Sequence, residues 1–207
     1  SEYLIFILEK LMDYLQKLYR AIILDTELYE EVEADKTLTR QAMMTVAIVA
    51  IIESIFHLGS EDSIIIIGSI EAALGSIIRW VLWAFLIAFV GTRILPEPET
   101  DSDTGELLRT LGFAYAPGIF YIFSSVPIIG FFVQLVVPFW QLASMTVAVR
   151  QALDFSSTTR AIGVCVVAIV LTVIILSATL IASLSLGSII SNALQPASPV
   201  LGDLIQA

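Results

Sequence analysis

Residues 161–184 read AIGVCVVAIVLTVIILSATLIASL, an apolar stretch that no charged residue interrupts. A helix of about 20 residues crosses the hydrocarbon core of a bilayer, so this stretch is long enough to span a membrane. The whole chain points the same way: 57% of its 207 residues are hydrophobic, 14% are charged, and the mean hydropathy is +0.91. Because soluble domains carry charges at about a quarter of their positions, the composition predicts a membrane protein.

Four further apolar stretches precede this one, at residues 42–58, 77–95, 107–123 and 128–149. Only residues 124–127 separate the last two, and Pro127 there breaks a helix because it lacks a backbone donor and restricts the residue before it. A single re-entrant hairpin is the alternative to two spans at this point. We predict an all-α fold, a polytopic membrane protein with a five-helix transmembrane bundle.

Residues 1–24 combine six charges with leucines and isoleucines at helical spacing. The charged side chains fall on one side and the apolar ones on the other, which predicts an amphipathic helix in the membrane interface or against the cytoplasmic ends of the spans. No small-residue cleavage site follows, so a secretory signal is not expected. We divide the chain into an N-terminal amphipathic and polar helical segment (1–41), a five-span membrane domain (42–187) and a short C-terminal tail (188–207).

The basic residues predict the orientation of the chain in the membrane. Five precede the first span, and Arg93, Arg109, Arg150 and Arg160 fall in the second and fourth connections, which leaves Arg79 alone on the other side. Because Lys and Arg near span ends stay in the cytoplasm, we predict a cytoplasmic N-terminus and a C-terminus on the far side.

Five polar residues form a candidate intramembrane polar cluster. Glu53 lies in the far-side half of the first span with His57 one turn away, Arg79 begins the second span, and Gln134 and Gln141 share a face of the fourth. Ionisable groups at membrane depth are costly and therefore candidates for function, here an ion or proton site. We favour the other interpretation, an interfacial salt bridge that joins two helices, because a single acidic residue is weak support for an ion or proton pathway.

The sequence carries no recognisable catalytic or metal-binding motif. It has one histidine and lacks HExxH, GxSxG and a glycine-rich phosphate loop. The acidic loop 99–106 has its glycine one position late for a calcium site and no closing glutamate. An intramembrane serine enzyme would have to use His57, and no serine has the expected surroundings. The net charge of −10 does not indicate the basic surface that nucleic-acid binding requires. We expect no enzyme, no cofactor and no nucleic-acid partner.

Several short motifs, in their order and spacing, resemble the Yip domain family of Ypt/Rab-interacting membrane proteins. They are LGFAYAP at 111–117, VPIIG at 126–130, Trp140 and RQAL at 150–153. The resemblance runs from about Tyr14 to Leu184, and residues 24–41 and 91–93 resemble the prokaryotic branch in particular. The matching positions are carried over as fold or helix-packing residues: Gly112, Phe113, Pro117, Pro127, Gly130, Trp140 and Arg150.

This resemblance implies five membrane helices and a cytoplasmic N-terminus. Eukaryotic members bind prenylated Rab GTPases and help shape membranes, but their Asp-Leu-x-Gly-Pro motif is absent here, so we do not carry small-GTPase binding over. We expect a non-enzymatic protein of the prokaryotic plasma membrane that organises or shapes the lipid bilayer, or acts as a scaffold or accessory subunit for other membrane proteins or as a homo-oligomer. The alternative is a small transporter or channel that uses Glu53, His57 and Arg79.

Overall fold

The computed structural model describes residues 2–57, 62–98, 100 and 103–194, and only the backbone of residues 56, 57, 62–67, 69, 193 and 194. All regular structure in this part of the chain is helical, as predicted. The α-helices are α1 (Glu2–Ile22), α2 (Thr26–Ala34), α3 (Thr39–His57), α4 (Asp62–Phe89), α5 (Thr104–Ala114), α6 (Ile129–Ala152) and α7 (Thr158–Leu194). Short 3₁₀ helices precede α3 (Lys36–Leu38) and follow α5 (Ala116–Phe123), and a π-helical turn (Val90–Ile94) ends α4.

Four helical stretches of the described chain are long and apolar enough to cross a membrane, namely Lys36–Ile55, Ile70–Ile94, Ile129–Ala152 and Thr158–Asn192. They overlap four of the five predicted spans. The remaining one, residues 107–123, is not one continuous helix, because α5 ends at Ala114 and the chain continues as a 3₁₀ helix. The count of five spans therefore stays a prediction.

The start and the end of α5 have clear local causes. A capping box begins the helix: the Asp103 carboxylate accepts the backbone N–H of Glu106 (3.0 Å), and the Glu106 carboxylate accepts that of Asp103 (2.8 Å). Pro117 lies in the first turn of the following 3₁₀ helix. Proline lacks the backbone N–H donor and its ring crowds the carbonyl four residues earlier, so Pro117 disfavours continuation of α5 as a regular α-helix.

The segment formed by α5 and the following 3₁₀ helix lies at the centre of the first of two compact units, Ser1–Ala168. In it α5 contacts α1, α2, α3, α4 and α6, and Leu107, Leu111 and Phe113 are completely buried. Ala116, Pro117 and Gly118 of the 3₁₀ helix are buried as well. Backbone that is not regular α-helix is tolerated at membrane depth when protein covers it, and this central position provides the cover.

The closest approach between α5 and α3 occurs at Gly112. A Cβ atom at this position would lie 2.6 Å from the Cβ of Ala42 and 3.0 Å from the Ala42 backbone carbons. Small residues on both helices let the two backbones come together, which is how helices pack tightly inside a bilayer.

The C-terminal half of α1 packs against the bundle. Tyr14, Leu18 and Ala21 are buried, and the Tyr14 hydroxyl shares a hydrogen bond of 2.9 Å with the hydroxyl of Thr45 on α3. The Trp140 indole N–H of α6 donates to the backbone carbonyl of Ile22 at 2.8 Å, which fixes the end of α1.

The second compact unit, Ile169–Ala207, contains the rest of α7. Apolar side chains are exposed here along several turns, among them Val173, Leu176, Leu180 and Leu184. Residues 188–194, predicted as tail, are the last turns of α7, and the predicted tail beyond them (195–207) lies outside the described residues.

The contact at Gly112 gives a first test of the fold. Gly112→Ala forces α3 and α5 apart, so we expect a loss of about 1–3 kcal/mol in stability, as for other overpacked cores. The melting midpoint of the purified protein in detergent measures it. Gly187→Ala is the matched control, because no atom lies within 4 Å of its added Cβ. Equal midpoints for the wild type and Gly112→Ala would contradict the close crossing.

Candidate functional site

A polar cleft of about 440 Å³ opens between α3, α4, α6 and the 3₁₀ helix after α5. Its position within the candidate spans places polar side chains at membrane depth, where each one is costly to keep. The cleft is lined by Ala50, Glu53, Ser54, Ala72, Ser76, Arg79, Tyr121 and Gln134.

Opposite charges face the same region of this cleft. The Arg79 guanidinium donates to the hydroxyl of Ser76 at 2.5 Å. Glu53 is partly buried on α3, and the Tyr115 hydroxyl lies within electrostatic range of both Glu53 and Arg79. Because charges attract strongly where little water screens them, the cleft suits a small polar or zwitterionic group better than an apolar one.

Three of the five residues in the predicted polar cluster line the cleft, namely Glu53, Arg79 and Gln134. Gln141 does not line it; the Gln141 amide lies instead beside Gly118, close to where a Cβ would be. His57 is the last residue of α3, and its side chain lies outside the described part of the structure.

The position of Arg79 along its helix differs from the expectation. We predicted it at the start of the second span, but α4 begins at Asp62 and Arg79 lies well inside the candidate span Ile70–Ile94. Sequence reasoning also missed Ser76 and Tyr121 as cleft residues. Ser76 could have been found, since it lies three positions before Arg79 and therefore on the same helical face.

No group of three or more His, Cys, Asp or Glu side chains among the described residues is placed to hold a metal ion. What the cleft offers is one carboxylate, one guanidinium, hydroxyls and an amide. These groups bind by hydrogen bonds and charge, so the arrangement fits the reversible binding of a polar group.

A buried arginine ties α2 to the bundle. Arg109 of α5 is 3% exposed, and its guanidinium donates to the backbone carbonyls of Val32 (3.0 Å) and Glu33. These carbonyls belong to the last turn of α2, whose partial negative charge a cation stabilises. Tyr29 on the same helix is completely buried, and its hydroxyl shares a 2.7 Å hydrogen bond with Ser144 of α6.

Next to this arginine, acidic side chains crowd a smaller cleft of about 310 Å³. Burial, together with the negative charges of Asp154, Glu106 and Glu30, raises the pKa of Glu33 to about 7, although the charge of Arg109 opposes them. The carboxyl group of Glu33 therefore titrates near neutral pH.

The residues carried over from the family motifs make contacts throughout the bundle. Phe113 is completely buried in α5. The Trp140 ring stacks on Phe120 with centroids 5.3 Å apart, in addition to its bond to α1. Arg150 closes the turn between α6 and α7, donating to the Phe155 carbonyl (3.3 Å) and the Thr158 hydroxyl (3.1 Å).

Two further motif residues lie at the turn before α6. Pro127 is exposed there, and the buried Gly130 donates its backbone N–H to the Val126 carbonyl at 2.7 Å. Together with Pro117 and Gly112, these residues shape the path of the chain between α5 and α6. Their contacts are with the protein itself.

Long apolar helices around a buried, interrupted central segment define a multi-pass membrane protein. The Yip1 domain model matches residues 28–193, most of the chain, so the protein belongs to the Yip1 domain family and the resemblance found in the sequence is confirmed. The match starts at Leu28, a completely buried residue of α2. No curated protein and no solved structure matches the chain.

The raised pKa of Glu33 predicts a pH-dependent stability. The folded pKa of about 7 lies above the ordinary value of 4.5. The stability contributed by the protonated form is therefore fully present below about pH 4.5 and is lost as the pH rises through 7. Glu33→Gln should raise stability at pH 8 by on the order of 1 kcal/mol, a value discounted for solvent screening.

Melting curves in detergent between pH 5 and pH 8 measure this effect. We expect Glu33→Gln to flatten the pH dependence of the melting midpoint. Glu27→Gln, which removes an exposed acid of α2 outside the cleft, should retain it. A pH profile unchanged by Glu33→Gln would show that another group is responsible.

Proposed function

We propose that this Yip1-family protein is a non-enzymatic membrane protein that organises or shapes the bilayer, or holds partner membrane proteins, with α1 as its membrane-surface element. The observation that carries this proposal is the apolar stripe of α1, which the protein leaves uncovered. Leu4, Leu8, Leu11 and Leu15 are all between 47% and 62% exposed.

The way in which α1 packs explains why the stripe is free. The helix turns its Tyr14, Lys17, Leu18 and Ala21 edge inward, and Lys17 is only 7% exposed although it belongs to the charged side of the helix. Ion pairs with Asp13 and Glu31 compensate its charge. Exposed apolar surface costs about 25 cal/mol for each Å² in water, and a bilayer interface removes that cost.

We further propose five crossings and a cytoplasmic N-terminus. An 11-residue α-helix followed by 8 residues of 3₁₀ helix is roughly 30 Å long, close to the thickness of the hydrocarbon core. The segment 104–123 is therefore long enough to cross the membrane as well, as the third of five crossings in chain order. The distribution of basic residues supports the orientation, and the resemblance of residues 24–41 and 91–93 to the prokaryotic branch supports a prokaryotic plasma membrane.

The non-enzymatic part of the proposal has separate support. The Yip1 family is known as a family of membrane proteins, not of enzymes, and the sequence carries none of the common catalytic motifs. A role as scaffold or accessory subunit would use the exposed apolar faces of α1 and α7 as contact surfaces.

Reconstitution into liposomes tests the proposed role of α1. We expect the wild-type protein to change vesicle diameter or shape as seen by cryo-electron microscopy, and Leu11→Glu to reduce this effect several-fold because it places a charge in the apolar stripe. Gln16→Glu adds the same charge to an exposed position of α1 outside the stripe and should act like the wild type.

Two results would count against this function. One is a wild-type protein that purifies only as a lone monomer and leaves liposomes unchanged. The other is an equal loss of activity in Leu11→Glu and Gln16→Glu, which would show that added charge, rather than the stripe, matters.

A small transporter or channel is the second candidate function, and the polar cleft with Glu53, Arg79 and Gln134 favours it. Polar side chains that line a cavity between membrane helices are typical of substrate and ion pathways. The cleft contains one acid, so proton movement is the simplest transport reaction to test.

Proton flux into proteoliposomes, reported by an enclosed pH-sensitive dye, tests this candidate. If the cleft conducts protons, Glu53→Gln should lower the flux at least about tenfold, since it removes the titrating group. Glu71→Gln is the matched control, because Glu71 is an exposed acid of another candidate span, Ile70–Ile94 of α4, and does not line the cleft. A flux that Glu53→Gln leaves unchanged would remove this candidate.

A further inference from the structure

A cleft of about 1050 Å³ lies between α1 and the chain that leads into α3. Its distinguishing feature is that four basic side chains from three elements line it. Lys10 and Lys17 come from α1, Lys36 from the short 3₁₀ helix, and Arg40 from the first turn of α3.

The two acids in the same cleft are already engaged. Asp13 is ion-paired with Lys17. The Asp35 carboxylate accepts the backbone N–H of Thr37 at 2.8 Å and so caps the 3₁₀ helix. Lys36 and Arg40 are exposed and form no ion pair with any described residue. Lys36 also borders the acidic cleft around Glu33 and Arg40 does not, so Arg40 is the one of the two that lies farther from acidic compensation.

Apolar side chains continue the same cleft. Leu11 of α1 and Met44 of α3 line it, and they are 47% and 49% exposed. A ligand that fits this surface combines an anionic group with an apolar chain, which a free anion lacks and a phospholipid has.

The cleft lies at the level where the chain enters its first candidate span. That span begins at Lys36, and Arg40 and Met44 follow one and two turns later on the same side. Basic pockets beside membrane helices at this level bind anionic lipid headgroups. The amphipathic α1 forms the other wall, with its uncovered apolar stripe directed to the same boundary.

We propose that this cleft binds one anionic phospholipid. Its phosphate lies between Lys10, Lys36 and Arg40, and an acyl chain lies along Leu11 and Met44. The proposal deepens the proposed function, since it rests on the position of α1 at the membrane surface, and it names the lipid that would hold α1 there.

Native mass spectrometry of the full chain in an uncharged detergent, titrated with dioctanoyl phosphatidylglycerol, tests the site. We expect one molecule to bind in preference to dioctanoyl phosphatidylcholine. Lys36→Gln and Arg40→Gln should each weaken binding about fivefold, the effect of one basic residue near an anionic lipid. Arg40→Lys keeps the charge and should retain most of the affinity.

Arg93→Gln is the matched control, because it removes an exposed arginine that does not line the cleft. Its affinity should equal that of the wild type. A melting midpoint without lipid is measured for every variant, so that loss of binding is not mistaken for loss of folding. Equal binding of the two lipids, or equal effects of Arg93→Gln and Arg40→Gln, would overturn the proposal.

Competition with inorganic phosphate distinguishes the binding of a lipid from the binding of a free anion. Phosphate should fail to displace the phospholipid at millimolar concentration, since it makes no contact with Leu11 or Met44. Displacement at equal concentration would show a simple anion site and overturn the lipid assignment.

The outcome is separable from that of the liposome experiment. A protein that deforms liposomes without preferring phosphatidylglycerol overturns the lipid site and leaves the proposed function standing. A protein that binds the lipid through Lys36 and Arg40 but leaves liposomes unchanged overturns the shaping function and leaves the site standing.

Discussion

The structure depends on keeping the segment from Leu107 to Tyr121 packed against other parts of the protein. The change from α-helix to 3₁₀ helix after Ala114 alters the backbone hydrogen bonds, and lipid offers no partners for polar groups that lose theirs. The surrounding helices provide the cover, and Gly112 brings α3 into direct contact with the segment. Arg109, at the polar end of α5, extends the arrangement by holding α2 across the end of the bundle.

Helices with a continuous apolar sequence could be predicted from the sequence. The bounds of α6 and the start of α7 lie within three residues of the expected positions, because hydrophobicity and length alone identify a helix of this kind. The end of α7 lies ten residues beyond the predicted end of its span. The start of α4 was placed too late, at residue 77, because Glu71 and the small residues around it interrupt the apolar pattern although the helix runs through them. The α-helix ends at Ala114 because Pro117 follows it and because neighbouring helices bury the irregular backbone. A hydropathy profile detects neither effect.

The residues of the candidate sites also divide into those that could be predicted from the sequence and those that could not. Glu53 and Gln134 were found because polar residues stand out in apolar spans, but Gln141 lies elsewhere because the neighbouring 3₁₀ segment occupies its side of α6. The burial of Lys17 was not predicted, since a helical wheel assigns a lysine to water and cannot foresee that Asp13 and Glu31 compensate it. The basic cleft joins residues distant in sequence, so only the folded chain brings them together.

That cleft is also divided by the boundary of the family domain. The Yip1 match starts at residue 28, so Lys36 and Arg40 fall inside it, while Lys10, Leu11 and Lys17 come from a helix that precedes it. One wall of the cleft therefore lies within the region that the family model matches, and the other is formed by α1, which precedes that region. If the cleft binds an anionic lipid as proposed above, changes at Lys10 and Leu11 would alter its lipid preference without any change within the matched domain.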